Sequence, residues 1–179
     1  MGDRDRSAKE EQFAARLDPA LIDKWGDPTQ HPETQLSKEQ IDQLLQAGRE
    51  VFISHLTKDG TPMVTVHFYC FLDAEIWSTT VRGRAKEKAY RRHPRCALCI
   101  SSTGLRLPFS GGLTLKARAQ IVEDRPIIER VCREHARRYY QSERAQEMFF
   151  RAMWTPNRLA LHFTVDKIIS WANVGTRRD

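Results

Sequence analysis

Residues 60–101 read GTPMVTVHFYCFLDAEIWSTTVRGRAKEKAYRRHPRCALCIS, and this stretch carries the signals that decide the fold. Its opening is rich in β-branched and aromatic residues, which predicts a β-strand over residues 62–69. Pro62 suits the first position of that strand, where a missing N–H does least harm. A tight turn near Asp73-Ala74 then leads into a second strand at 75–80.

A hairpin precedes these two strands. Residues 51–56 read VFISHL and predict another strand. The Asp59-Gly60 pair between this run and the strand at 62–69 is a strong hairpin signal, because both residue types tolerate positive φ. Together with the strand at 75–80, three strands joined by short turns predict a β-meander.

The second half of the quoted stretch predicts a basic helix. Apolar residues recur every four positions from Val81, which indicates a helix over residues 82–92. The His93-Pro94 pair ends the helix, because a residue before proline disfavours the helical region. An apolar strand follows at 95–101.

The rest of the chain adds helices and further short strands. Ser37 and Gln40 form a capping box in front of a helix at about 38–47. The remaining predicted elements are a strand at 113–122, a helix from Pro126, a helical segment near 143–153, and two closing strands at 159–164 and 167–171 with a tight turn at 165–166. About seven strands interrupted by helices only at certain places predict a mainly β (α+β) fold, an antiparallel barrel of six to seven strands with flanking helices.

Length and composition favour one domain with an N-terminal extension. The chain has 179 residues, of which 40% are hydrophobic. Residues 1–35 are polar with scattered prolines and form the predicted arm, and residues 36–179 form the predicted domain. No apolar run approaches the ~20 residues that cross a bilayer, and the N-terminus lacks the apolar stretch of a secretory signal. We therefore expect a cytoplasmic protein with no membrane partner.

The four cysteines do not predict a metal site. Cys96 and Cys99 have CxxC spacing, but they lie on a predicted strand, where residues three apart point to opposite faces. Cys70 and Cys132 have no partner nearby in the sequence. We expect four small, buried, apolar residues in a reducing compartment, with no disulfide and no bound metal.

Positive charge is concentrated directly after the strand at 75–80. The formal net charge is +6, and seven cations lie between residues 82 and 95 against one acid, Glu87. Hydroxyls from Ser78-Thr79-Thr80, backbone N–H groups at a helix start and these cations together suit a phosphate group. The alternative is a basic helix face that contacts only solvent. Nucleic acid is not an expected partner, because only Tyr90 places an aromatic ring among these cations.

The order of these features resembles the pyridoxamine 5′-phosphate oxidase-like split barrels, also called FMN-binding split barrels, which include the deazaflavin (F420)-dependent reductases. The shared pattern is a strand with an Asp-Gly-x-Pro start, a tight turn, a strand ending in Ser/Thr, a basic helix, a His-Pro-Arg segment and an apolar strand. The closing RLALHFTVDKIISW, residues 158–171, is similar to the last strands of the family. The resemblance covers about residues 36–175. It implies a split β-barrel that forms a homodimer, with two FMN sites at the subunit interface.

The resemblance also implies which residues hold the cofactor. One group follows the isoalloxazine ring, largely through backbone: Met63, Val64 and Thr65. A second group lies near the ribityl and phosphate groups: Ser78, Thr79 and Thr80. The phosphate is bound by cations: Lys86, assisted by Arg82 or Arg84. The partner subunit contributes one or more of Trp154, Asn157 and Trp171.

The implied activity is an oxidoreduction in which the flavin carries the hydride or electrons and the protein supplies orientation and electrostatics. The sequence contains no GxSxG elbow, P-loop, HExxH or Rossmann glycine pattern, so the catalytic residues stay unassigned. His55 and His67 lie on predicted strands and are either substrate contacts or structural histidines. The chain ends in SWANVGTRRD instead of the Arg-Leu-x-Pro of authentic pyridoxamine 5′-phosphate oxidase. Oxidation of vitamin B6 is therefore not expected.

Two other functions remain open at this point. F420 carries a phosphate and an acidic glutamyl tail, which the run of cations also suits, so the protein is alternatively an F420-dependent reductase. The second alternative is a non-catalytic protein that binds a flavin, haem or bilin. His135 is the candidate axial ligand for haem, although its position on the apolar face of a helix favours packing.

Overall fold

A computed structural model describes residues 35–172. The predicted arm, except for its last residue, and the last seven residues of the predicted domain lie outside this range. The described chain forms two compact units. The larger unit contains Gly48–Ile100 and Thr114–Ile169 and holds all the residues of the candidate site discussed below. The elements in chain order are α1 (Lys38–Ala47), β1 (Glu50–Leu56), β2 (Pro62–Phe68), β3 (Cys70–Leu72), β4 (Glu75–Val81), α2 (Ala85–Arg92), β5 (Arg95–Ser101), β6 (Gly111–Val122), α3 (Arg125–Tyr139), α4 (Glu143–Met153) and β7 (Arg158–Ala172).

The seven strands form one curled antiparallel sheet, which confirms the predicted fold class. The strand order is β2-β1-β5-β6-β7-β4-β3. β1 and β2 form the predicted hairpin, whose turn contains Gly60 at a φ of 84°. His55 is paired with Met63 in this hairpin. Since side chains alternate along a strand, His55, Met63 and His67 share one face of the sheet.

The predicted three-stranded meander is wrong. β2 ends at Phe68, and β3 begins after Tyr69 as a separate strand at the opposite edge of the sheet. The hydroxyl of Tyr139 on α3 accepts a hydrogen bond of 3.1 Å from the Tyr69 backbone N–H. This long-range contact takes the Tyr69 backbone out of strand pairing, and β4 pairs with β3 and β7 instead of β2.

The two predicted closing strands are one continuous strand, β7. The strand runs without a break through Val165 and Asp166, so no tight turn forms there. The Asp166 carboxylate instead accepts a hydrogen bond of 3.2 Å from Arg118 on β6. An acidic residue that the pattern assigned to a turn therefore pairs across neighbouring strands.

The helix predicted over 82–92 begins later, at Ala85. Gly83 takes a φ of 84°, and Arg84 is extended with a ψ of 151°, so the chain turns sharply between β4 and α2. The predicted helix at 38–47 is confirmed as α1. Its capping box is formed by the Ser37 N–H, which donates to Gln40 Oε1 (2.8 Å), and by the Gln40 N–H, which donates to Ser37 Oγ (3.2 Å).

Helices α3 and α4 cover part of the sheet with a shared apolar core. Its buried members come from both helices and from β3, β4 and β7: Cys70, Leu72, Trp77, Ile128, Val131, Cys132, Ala136, Phe150, Met153 and Ala160. All four cysteines are free, and Cys70 and Cys132 are buried as expected. The expectation of four buried cysteines is wrong for Cys96, which is only partly buried, and for Cys99, which is exposed on β5 and paired with Phe52 of β1. No described helix is long and apolar enough to cross a membrane.

Candidate functional site

A cleft of about 350 Å³ opens between the β1–β2 hairpin, the end of β4 and the start of α2. It is lined by His55, Met63, Thr65, Thr80, Val81, Arg84, Ala85 and Lys86. The hairpin register supplies the first three of these residues, and the sharp turn at Gly83 places the first turn of α2 beside Thr80. The cleft therefore gathers five of the predicted cofactor-binding residues: Met63, Thr65, Thr80, Arg84 and Lys86.

Lys86 is a half-buried cation without a carboxylate partner among residues 35–172. Its Nζ contacts Nε2 of His67 on β2 and lies 3.1 Å from Nδ1 of the same ring. Burial, and secondly the charge of Arg158, lowers the pKa of Lys86 to about 8. Burial disfavours the charged amine unless an anion lies beside it. A negatively charged ligand next to Lys86 would therefore be favourable.

Arg84 adds a second cation to the cleft. Its guanidinium makes no hydrogen bond or ion pair within the described part of the chain, and the residue is exposed. Arginine binds phosphate oxygens in a bidentate manner, and lysine binds them as a point charge. The pair Arg84 and Lys86 therefore suits a phosphate group better than a neutral ligand.

Two buried polar side chains in the cleft lack hydrogen-bond partners. Thr80 is 2% exposed, and its Oγ1 is unpaired among the described residues. His55 is 6% exposed, and its Nδ1 is likewise unpaired. An unsatisfied buried polar group costs about 1–3 kcal/mol, so a ligand that supplies partners to both would be favoured. This observation fits a phosphorylated cofactor with a hydroxylated linker.

A second cavity of about 280 Å³ lies beside the C-terminal half of β2. It is lined by Glu50, Val66, His67, Phe68, Ser78, Thr79, His135 and Met153. Ser78 Oγ donates a hydrogen bond of 2.7 Å to the Phe68 carbonyl, so this predicted ligand contact is used within the fold. His67 lines the second cavity and contacts Lys86, which lines the cleft.

Arg82 is not among the residues that line the cleft. Its guanidinium forms an ion pair of 2.6 Å with Glu123, and Arg91 pairs with both Glu123 and Glu87. The basic run at 82–95 is thus divided into cations neutralised by acids and cations, such as Arg84 and Lys86, that are not. Val64 also lies away from the cleft lining, with its side chain 61% exposed on the outer face of the hairpin.

The predicted partner-subunit residues lie elsewhere. Trp154 stacks on Phe150, and the Arg125 guanidinium lies 3.6 Å from its ring centroid. The carbonyl of Asn157 accepts a hydrogen bond of 2.8 Å from the Arg82 N–H. Trp171 belongs to the smaller unit and packs against Gly112, where a Cβ would lie 2.7 Å from the indole nitrogen.

Sequence reasoning left His55 and His67 undecided and did not include Arg158. A signal for the two histidines existed, because the alternation of the hairpin puts both on the face of Met63 and Thr65. His135, the candidate haem ligand, is 1% exposed, and its Nδ1 lies 2.9 Å from the Val131 carbonyl. The ring is buried, as the packing interpretation expects, but its Nε2 has no hydrogen-bond partner among the described residues, and His135 lines the second cavity.

Comparisons with known proteins identify relatives of this fold. The sequence profile described as Pyridoxamine 5'-phosphate oxidase matches residues 37–172. A search of curated proteins gave no match. Among solved structures, a conserved hypothetical protein from Mycobacterium tuberculosis aligns with a TM-score of 0.68 and 23% identity over 79% of this chain and 88% of its own.

Two further solved structures share the fold but differ in their named functions. The heme storage protein HutZ from Vibrio cholerae aligns with a TM-score of 0.60 and 12% identity, over 79% of this chain and 98% of its own. A protein named F420 reductase aligns with a TM-score of 0.54 and 16% identity, over 72% of this chain and 94% of its own. At these identities the likeness establishes the fold and no activity.

Proposed function

Since the chain belongs to the pyridoxamine 5′-phosphate oxidase family, we propose that it is a flavin-nucleotide-dependent oxidoreductase that binds FMN in the cleft between the β1–β2 hairpin and α2. The observation that carries the proposal is the half-buried Lys86, which shares the cleft with Arg84 and has no carboxylate partner among residues 35–172. Two cations that have no counter-ion in the described part of the chain, beside unpaired hydroxyl and imidazole groups, are suited to a phosphorylated, hydroxylated ligand.

Each side chain of the cleft has a defined part in this proposal. Lys86 and Arg84 bind the phosphate, and Thr80 Oγ1 hydrogen-bonds to the phosphate or the ribityl chain. Met63 and Thr65 on β2 line the wall along which the isoalloxazine ring lies. When bound, the flavin supplies the hydride or electron transfer, and the protein orients it and excludes water from one side.

A homodimer would cover the exposed side of the hairpin. The outer face of β1 and β2 carries large apolar side chains that are 39–61% exposed: Phe52, Leu56, Val64, Val66 and Phe68. Phe52 and Val66 are directly paired across the two strands, so these side chains form one continuous patch. Exposed apolar patches of this kind typically mark association surfaces. We propose that a second copy of this chain occupies the patch, next to the cofactor cleft on the same strands.

F420 is the alternative cofactor. It carries a phosphate that Lys86 and Arg84 would bind equally well, and a protein named F420 reductase has the same fold. Exposed cations at Lys88 and Arg92 continue from Arg84 along the same helix at four-residue spacing and have no acid partners among the described residues. These residues favour a longer anionic ligand.

A fluorescence titration of the purified apo-protein with FMN and, separately, with F420 tests the proposal. Riboflavin, which lacks the phosphate, is the control ligand. Saturable binding of FMN that exceeds riboflavin binding by at least tenfold supports a flavoprotein. Tight binding of F420 with weak binding of FMN supports the deazaflavin-dependent reductase instead. Binding of neither overturns both redox assignments and makes a haem or bilin the next ligand to titrate.

A further inference from the structure

His55 is a buried histidine that the fold does not fix by hydrogen bonds. Its side chain lines the cofactor cleft and is 6% exposed. Nδ1 is buried and unpaired, and no other hydrogen bond to the ring is formed within residues 35–172. The Tyr90 ring packs edge-on with its centroid 6.0 Å away. The ring is therefore held by packing, and neither nitrogen is used in a hydrogen bond within the described residues.

The groups that surround His55 are mostly cations and neutral donors. Lys86 and Arg84 reach the cleft from α2, and Thr65 and Thr80 reach it from β2 and β4. Tyr90 is neutral, because burial raises the pKa of its hydroxyl, which donates a hydrogen bond of 3.2 Å to the Ser54 carbonyl. No carboxylate lines this cleft among the described residues.

In the ligand-free protein these surroundings keep the ring neutral. Burial, and secondly the positive charge of Lys86, lowers the pKa of His55 below its usual value near 6.5. Burial of a histidine beside a lysine with no anion between them is unfavourable for the imidazolium. The same arrangement becomes favourable when an anion enters the cleft.

We propose that His55 is an anion-binding residue of this cleft, and that it takes up one proton from solvent when a phosphate monoester binds beside Lys86. The inference rests on the proposed function of the cleft and deepens it. A doubly charged phosphate offsets the charge of Lys86 and attracts the imidazolium, and this attraction opposes the cost of burying the charged ring. The proton is added to the free ring nitrogen, and the imidazolium then donates hydrogen bonds to the ligand.

This coupling makes the cleft selective for a dianion. Three cations, Arg84, Lys86 and protonated His55, match a phosphate monoester better than a neutral polyol or a single carboxylate. Riboflavin and FMN differ only in the phosphate, so they separate this effect from binding of the ring system. We expect proton uptake with FMN and none with riboflavin.

Isothermal titration calorimetry at pH 7.0, in buffers of different protonation enthalpy, measures the protons taken up on binding. The wild-type protein and the control variant His93→Gln, which changes an exposed histidine on the same protein, should take up roughly half a proton or more. His55→Gln should take up almost none and should bind FMN about tenfold more weakly. Lys86, with a pKa of about 8, adds only about a tenth of a proton at this pH.

An NMR titration of wild-type protein labelled in its histidine rings provides a second readout that needs no variant. In the FMN complex the His55 resonances should titrate above about pH 7, and in the free protein below about pH 6.5. FMN binding with an unchanged, neutral His55 and an unaffected His55→Gln variant overturns this inference alone. If neither FMN nor F420 binds the wild-type chain, the proposed function fails and this inference fails with it.

Discussion

Lys86 Nζ contacts Nε2 of His67 and lies 3.1 Å from Nδ1 of the same ring, so the half-buried ammonium of the cleft is paired with an imidazole and with no carboxylate among residues 35–172. An imidazole offers this cation one lone pair and no formal negative charge. Arg158 adds a further positive charge nearby. The cleft is electrostatically incomplete without an anion, and this incompleteness is the physical basis of the proposed phosphate site.

Removal of the Lys86 ammonium should weaken cofactor binding without unfolding the protein. We expect Lys86→Ala to raise the dissociation constant for FMN about 10- to 100-fold, because a hydrogen bond to a charged group is worth about 1.5–3 kcal/mol. Lys88→Ala on the exposed side of the same helix is the matched control and should change it by less than about threefold. Fluorescence titration measures both. Equal dissociation constants for the two variants would contradict the site.

The affinity for FMN should fall as pH rises above 8. The pKa of Lys86 is about 8 in the free protein, well below its usual value near 10.5. A bound phosphate favours the charged amine and raises this pKa, so binding takes up a proton at higher pH. Affinity should be nearly constant between pH 7 and 8 as far as Lys86 is concerned and should decrease between pH 8 and 10. Lys86→Met should remove the decrease, and a decrease that persists in the variant would assign it to another group.

The titration of Lys86 should also affect the stability of the ligand-free protein. Whereas the affinity for FMN falls with rising pH, the free energy of unfolding should rise. Because the folded-state pKa of Lys86 is depressed, the unfolded chain binds more protons between pH 8 and 10.5. The free energy of unfolding should therefore gain a contribution that rises with pH over this window. The difference between wild type and Lys86→Met in urea unfolding, measured at pH 8 and at pH 10, isolates it. No pH-dependent difference would mean that Lys86 is not desolvated in the free protein.

Thr80→Val should affect the complex and spare the free protein. Thr80 Oγ1 is buried and has no partner within the described residues, so its removal loses no internal hydrogen bond. In the complex, the missing hydroxyl should cost about 1 kcal/mol of binding free energy, or roughly fivefold in the dissociation constant. Thermal unfolding checks the first expectation and titration with FMN checks the second. A destabilised free protein with normal FMN binding would show that Thr80 serves the fold instead.

A charge on the outer face of the hairpin should prevent dimerisation. Val66 is 51% exposed at the centre of the apolar patch on β1 and β2. Val66→Lys would place a charge in the proposed interface, where a second copy offers no partner. Met148→Lys on α4, where the side chain is 64% exposed, is the control. Analytical ultracentrifugation should find a dimer for wild type and the control and a monomer for Val66→Lys, whereas a wild-type monomer would exclude the dimer.

Much of the fold was predictable because local signals and tertiary structure agree. The capping box at Ser37, the Asp59-Gly60 hairpin and the His93-Pro94 helix end each depend on a few neighbouring residues, and all three appear in the structure. The meander failed because pairing of β4 depends on distant partners. The break at Tyr69 is formed by Tyr139, seventy residues away along the chain.

Most residues that line the cleft could be predicted from the sequence, but their contacts in the folded protein could not. The strand end at Thr80 and the cations at Arg84 and Lys86 were expected together and line one cleft. The ion pair of Arg82 with Glu123 was not visible in the sequence, because it joins residues 41 positions apart. The lack of a hydrogen-bond partner for His55 Nδ1 within the described residues likewise depends on the side chains that surround it in the folded protein. The spacing of residues in the sequence cannot predict it.

A crystal structure of the protein with FMN bound, or with F420 where that ligand binds more tightly, tests the central claim most directly. The account predicts that the phosphate lies within hydrogen-bond distance of Lys86 Nζ and the Arg84 guanidinium, in the cleft that also contains Thr80 and His55. A phosphate that binds away from Lys86, with the cleft filled by another part of the ligand or by solvent, would contradict it.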